Sequence, residues 1–253
     1  MIWNKVARAP GLYPRLQHVG RKIMHAVKVM TRPVVTVPAD ATVWSAADIL
    51  LGARISAAPV VEPDGRMVGI VSEADLMNRP ELGTVPGRSW LQRLLADEAL
   101  LARDYMRSHS HRVTDVMTRD VVTADEHAEL KEIAGLMQRR GIKRVPIVRD
   151  GKVVGIVSRA NLLQGLVARG PGQSGRTALD DELRESVWKE LRSHSWSSGV
   201  SNVVVESGVV HLWGQAFSAS AKDAARVAVE NVRGVKGVVN KIVVLPTEAL
   251  ILG

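Results

Sequence analysis

Two serines carry the most pointed chemistry in this chain. Ser72 has Asp75 three residues on, and Ser158 has Asn161 three residues on. Each serine closes a Gly-Ile-Val-Ser run, Gly69–Ser72 and Gly155–Ser158, where a β-rich stretch turns into helical spacing. A hydroxyl followed three residues later by an acid is a capping box, which satisfies the orphan N–H groups of a helix start. The same placement suits a ligand. A hydroxyl beside free backbone N–H groups attracts phosphate, and an acid one turn in accepts from the two hydroxyls of a ribose. The residues by themselves leave both readings standing. Asn161 presents one acceptor oxygen where Asp75 presents two, so its grip on a ribose is weaker. Lys143, Arg144 and Arg159 make the second locus cationic, whereas Glu73, the counterpart of Arg159, repels phosphate. Two loci of unequal chemistry are expected.

Other chemistry is scarce. The chain has no cysteine, which excludes disulfides, thiolate metal sites and cysteine nucleophiles. No P-loop, G-x-S-x-G or H-E-x-x-H occurs. His109 and His111 lie two apart with no carboxylate to complete a metal site, and read as solvated loop histidines. Ser186 and Lys189 match S-x-x-K within a helix, and Gly170–Gly175 matches G-x-G-x-x-G, but after a helix rather than a strand. The first is read as chance and the second as a flexible linker. No catalytic residue, metal or catalytic cofactor is therefore assigned, and the chain is read as non-enzymatic.

The elements that position the two serines come as a duplication. Ala58–Ser72 and Val145–Ser158 share one grammar: a short apolar strand, a turn at Asp64-Gly65 or Asp150-Gly151, a second strand, then the serine. Pro59 and Pro146 are 87 residues apart, as are Met30 and Met117, and the offset falls to 86 after the turn. Repeat one is expected as a strand at Val34–Val37, a helix over Val43–Arg54, and the hairpin Ala58–Val61 with Met67–Val71. Repeat two is expected as a strand at Val121–Thr123, a helix over Glu129–Arg140, and the hairpin Val145–Val148 with Val153–Val157. Between them Ser89 caps a helix running through Tyr105. A third unit reads as a helix (Leu179–Ser193), a hairpin around Ser207-Gly208, a helix (Ala219–Val232) and a strand (Val235–Leu245). The predicted divisions are a basic arm (1–27), repeat one (28–78), a helical insertion (79–112), repeat two (113–168), a Gly-rich linker (169–177) and a small α-β-β-α-β unit (178–247). The fold class is α/β with α+β: two β-α-β-β-α repeats packed as a pair, plus the third unit.

Charge is concentrated at one end. The chain carries +8 formally, and residues 1–32 hold Lys5, Arg8, Arg15, Arg21, Lys22, Lys28 and Arg32 before the first acid, Asp40. The rest is close to neutral, so the basic balance belongs to an amphipathic arm from Pro14 onward and not to the folded body. That arm suits an anionic membrane surface, a polyanionic partner, or docking onto the next domain. Aromatic residues make up 4% of the chain, which leaves few stacking platforms and argues against nucleic acid as a partner. Without an export signal or a run long enough to span a bilayer, the expected location is cytoplasmic, with the arm able to reach the inner membrane surface.

Both copies, with their Pro-Val/Ile-Val strand, Gly-Ile-Val-Ser turn and polar residue three on, resemble a tandem pair of CBS domains, a Bateman module, over about residues 28–166. The third unit resembles a BON domain over about 178–246, through Val203, Val205, Gly208, Val210, Leu212 and Gly214 and through Gly237, Val238, Asn240, Ile242 and Val244. The first resemblance implies a regulatory homodimer that binds an adenosine-containing ligand (AMP, ADP, ATP, S-adenosylmethionine or NAD(H)) between the repeats. It places Thr36, Ser56, Ala57, Ala58, Ser72 and Asp75 around one ligand. Thr123, Lys143, Arg144, Val145, Ser158, Arg159 and Asn161 go around another. The second resemblance implies a phospholipid or protein partner. The rival expectation is a structural or stress adaptor, in which the pair only dimerises and the BON unit does the binding.

Overall fold

The computed structural model describes residues 23–77, 79–84, 98–170 and 178–245. The predicted arm helix up to residue 22, the Ser89 start of the insertion helix and the body of the linker lie outside these residues; from residue 23 the arm makes only a single 3-10 turn, Ala26–Lys28, in place of the expected helix.

Repeat one runs β1 (Val37–Pro38), α1 (Val43–Gly52), β2 (Ala57–Val61), β3 (Met67–Ser72) and α2 (Glu73–Met77). Strands β2 and β3 form the expected antiparallel hairpin, and β1 pairs parallel to β2. The first strand begins at Val37 rather than Val34. Helix α1 starts where Thr42 accepts a hydrogen bond from the Ser45 N–H, and ends at Gly52, two residues short of expectation. The reason is local: Arg54 takes φ 52°, which turns the chain out of the helix.

The insertion supplies α3 (Glu98–His109), which extends past the predicted end at Tyr105. His109 therefore closes a helix instead of sitting on a loop, and His111 stacks on Trp44 with ring centroids 4.8 Å apart. A short α4 (Val113–Val116) opens repeat two, followed by α5 (Leu130–Arg139), β4 (Arg144–Arg149), β5 (Lys152–Ser158) and α6 (Arg159–Arg169). Val121–Thr123 is not a strand. Only Ala124 bridges, to Ile147, so repeat two has a two-stranded sheet where repeat one has three. The β4–β5 turn holds Asp150 at φ 51° and Gly151 at φ 75°, the pair of left-handed residues that a two-residue hairpin turn requires.

The copies are interlocked. The segment before each repeat crosses to the hairpin of the other. Thr31 bridges Ile156, and Thr118 bridges Ile70. Met30 belongs to the core of repeat two, with Ile133, Val145, Ile147 and Val157. Met117 belongs to the core of repeat one, with Val37, Leu50, Val60 and Val71. Glycine makes room for both sulfurs, because a Cβ at Gly155 would collide with Met30 and one at Gly69 with Met117. The two copies are thereby one cooperative body related by a pseudo-twofold axis.

The third unit follows as α7 (Ala178–Arg192), β6 (Val200–Glu206), β7 (Val209–Ala216), α8 (Ala219–Glu230) and β8 (Gly237–Val244). Its sheet order is β6-β7-β8, with β7–β8 parallel through the α8 crossover. Val203, Val205, Val210, Leu212 and Ile242 pack under Leu183, Val187 and Leu191 of α7 and Val229 of α8. Val204, of opposite alternation, packs instead on Val29 and Ala168, so strand β6 is buried on both faces.

Candidate functional site

The two serines hold equivalent places in the two hairpins but different surroundings. On the Ser72 side a cleft of about 430 Å³ opens between the copies. Repeat one lines it with Ser56, Ala57, Ser72, Glu73 and Asp75, and repeat two with Thr118, Asp120, Val121, Lys143 and Arg144. That volume lies within the range of small-molecule sites, roughly 300–1,000 Å³. The crossing of Thr118 onto Ile70 sets the pairing: it carries residues 120–122 across to the helix start of repeat one.

Within the cleft Asp75 is half-buried. Its Oδ2 accepts from the Ser72 N–H (2.9 Å) and the Ser72 hydroxyl (2.6 Å). Its other oxygen, Oδ1, carries no hydrogen bond from the described residues and can accept from a ligand. Helix α2 is only five residues long, so little dipole backs a phosphate at Ser72, and positive charge has to come from Lys143 and Arg144. The Arg144 Nη2 donates to the Ser56 hydroxyl at 2.7 Å, joining the hairpin starts of the two copies across the cleft floor. Burial lowers the Arg144 pKa from its ordinary value, and the nearby Glu73 carboxylate opposes that shift. The guanidinium is therefore held charged beside an acid in a partly desolvated place.

The Ser158 side is closed upon itself. Ser158 accepts from the Asn161 N–H, and Asn161 Oδ1 accepts from the Ser158 N–H and hydroxyl, both at 2.7 Å, completing a capping box. Asn161 is 2% exposed. Its Nδ2 donates inward, to the Val29 carbonyl (3.0 Å), the Thr31 hydroxyl (3.1 Å) and Gln164 (3.2 Å). Gln164 and the same Val29 carbonyl also accept from Asn202 of the third unit, at 2.6 and 3.0 Å. Beside them Arg184, 1% exposed, donates to the Val27, Met30 and Val203 carbonyls. Ion pairs Lys28–Asp181 and Arg32–Glu185 flank this clamp.

The cleft therefore gathers Ser56, Ala57, Ser72, Asp75, Lys143 and Arg144, crossing the grouping by copy that the resemblance implied. Ala58 and Val145 lie beneath it in the two cores. Thr36 is half-buried just before β1, and Thr123 lines a separate cavity of about 200 Å³ between the hairpins. Ser158, Arg159 and Asn161 are not among the lining residues. Sequence reasoning missed Thr118, Asp120 and Val121. The constant 87-residue offset between Met30 and Met117 held the signal, but reading it requires knowing that those segments change places.

A duplicated module with a cleft between its copies, joined to a small α+β domain, is the class that this fold defines. The chain belongs to the CBS-domain proteins: the CBS domain model matches residues 26–81 and 113–168, and the BON domain model matches 179–246. The protein MJ1426 of Methanocaldococcus jannaschii is 32% identical over 161 residues, 59% of this chain and 95% of that one. The CBS domain-containing protein CBSX1 of Arabidopsis thaliana chloroplasts is 27% identical, covering 65% of this chain and 68% of that one. For the inosine-5′-monophosphate dehydrogenase of M. jannaschii, 28% identical, only 24% of that enzyme is covered. Among solved structures, CBSX2 in complex with AMP superposes with a TM-score of 0.51 at 22% identity, covering 58% of this chain and 99% of that one. Among the described residues no helix is long and apolar enough to cross a membrane.

Proposed function

We propose that the CBS pair is a regulatory sensor that binds one adenosine-containing ligand in the Ser72–Asp75 cleft and passes its occupancy to the BON domain. The observation that carries this reading is the Asp75 carboxylate in the cleft lining, whose Oδ1 takes no hydrogen bond from the described residues, with Lys143 and Arg144 in the same lining. Asp75 accepts from the ribose hydroxyls, the apolar Ala57, Ile70 and Val121 flank the base, and the two cations meet the 5′ substituent. The solved relative CBSX2 holds AMP, which suggests the ligand class. The clamp on residues 27–31 couples the pair to the BON domain. That domain leaves Phe217, Val227 and Val243 exposed, at separate places where a protein or phospholipid partner could be met.

The test is a thermal-shift and calorimetric screen of adenosine, AMP, ATP and S-adenosylmethionine against the full chain and Asp75→Ala. The expected result is a raised Tm with at least one of them, lost or weakened at least about tenfold in the variant, the scale of one charge-assisted hydrogen bond. Flat melting curves throughout would leave the adaptor reading, in which the pair only dimerises and the BON unit does the binding.

A further inference from the structure

The charges around the cleft do not favour a heavily phosphorylated ligand. Its lining carries three acids, Glu73, Asp75 and Asp120, against two cations, Lys143 and Arg144. Asp75 is committed to Ser72 and, on the reading above, to the ribose. Asp120 and Glu73 are both exposed. Glu73 is the first residue of α2 and acts electrostatically on Arg144, the cation set deepest in the wall. Arg144 is itself already bonded to Ser56. Arg144 keeps its charge in that bond, but Glu73 and Asp120 together offset Arg144 and Lys143, so the lining offers a phosphate group little net positive charge. The corresponding position of repeat two is Arg159, which is not itself in the lining but whose Nη2 donates to the carbonyl of the lining residue Ile142 at 3.4 Å.

We infer that Glu73 is the specificity-determining residue of this cleft. It admits adenosine ligands with no more than one phosphate and disfavours the polyphosphates. The inference rests on the adenosine-site reading and names the ligand class within it. Each phosphate beyond the first brings negative charge toward a lining whose acids outnumber its cations. Coulomb interaction across about 7 Å of solvated cleft then weakens ATP against AMP by about five- to tenfold at low salt. The preference fades as ionic strength rises, because the groups involved are exposed.

The experiment measures adenosine, AMP, ADP and ATP binding to the full chain by calorimetry, at low salt and without divalent cations. Two variants accompany it: Glu73→Arg and Glu73→Gln. In the unaltered chain affinity is expected to peak at AMP and fall at ADP and ATP. Glu73→Arg is expected to erase or invert the AMP-to-ATP ratio, and Glu73→Gln to reduce it part-way. Glu73 is exposed at a helix start, so both substitutions are compatible with the fold, and unchanged Tm values without ligand check this. ATP binding as tightly as AMP in the unaltered chain, or a ratio that Glu73→Arg does not move, overturns the inference while leaving the adenosine site standing. Binding of none of the four overturns the site and the inference together.

Discussion

Asp75 and Asn161 occupy the same place in the two copies, three residues beyond the serine that ends the second hairpin strand. Both take the Ser N–H and hydroxyl on one side-chain oxygen. They differ only in the other arm. In Asp75 it is an acceptor oxygen left for the cleft. In Asn161 it is an NH₂ group, a donor, and it turns inward to Val29, Thr31 and Gln164. A donor there converts a ligand position into a strut, because backbone carbonyls of the crossing segment supply acceptors within reach. The same segment is gripped from the BON side by Asn202 and Arg184. Duplication thus produced one corner that is open and one that joins domains.

Exchanging the two residues is the most direct way to break this comparison. Asn161→Asp sets a carboxylate against the Val29 carbonyl and removes its donors, in a place closed to water. Loss of stability of about 2–3 kcal/mol is expected, the cost of unsatisfied buried polar groups. No second ligand is expected to bind. A chemical denaturation curve with parallel calorimetry checks both. A second binding event in that variant would show the two corners to be interchangeable.

The reverse exchange is milder for the fold. Asp75→Asn keeps an oxygen for Ser72, so a stability change within about 0.5 kcal/mol is expected at this half-buried surface position. Ligand affinity is expected to fall about tenfold, since an amide NH₂ in place of the acceptor oxygen no longer takes a ribose proton. Equal affinity in calorimetry would remove the distinction between acid and amide on which the comparison depends.

The smallest expected effect sharpens a second difference between the copies. Repeat two ties its loop to β4 through Glu126, which Arg149 meets at 2.6 Å, while the corresponding positions of repeat one are Ala39 and Glu62. The hydrogen bond from Arg149, aided by its charge and opposed by burial, lowers the Glu126 pKa from its usual value. A lowered folded-state pKa means stability fully present above the ordinary glutamate range and lost as pH falls through the depressed value. Glu126→Gln should therefore flatten the acid side of the pH–Tm profile, and leave the profile above neutrality displaced but parallel. An unchanged acid limb would show that this pair contributes nothing measurable.

Much of the fold was legible in the sequence because it follows from local rules. The hairpins at Asp64-Gly65, Asp150-Gly151 and Ser207-Gly208 appear where turn residues divide β-branched runs, and α7 and α8 appear where apolar residues recur at helical spacing. The misses fall where tertiary contact overrides propensity. Val121–Thr123 has strand composition but finds no partner edge, because it is drawn to the cleft rather than to β4. Of the site, the serines and the residue three beyond each were visible. That Asp75 would face Lys143 and Arg144 was not, since nothing in a linear repeat says which copy supplies which wall.

The sequence by itself determined that there are two copies, where their turns fall, and that one corner bears an acid and the other an amide. Those properties live in residue types and spacings of a few positions, which short-range geometry reads directly. Only the tertiary structure decided that the segments before the repeats change places, seating Met30 against Gly155 and Met117 against Gly69, and that the BON domain grips one of those segments. Contacts across roughly 50 to 170 residues depend on which buried surfaces fit best. Through them the acid at Asp75 came to face an open cleft, and the amide at Asn161 became part of a joint.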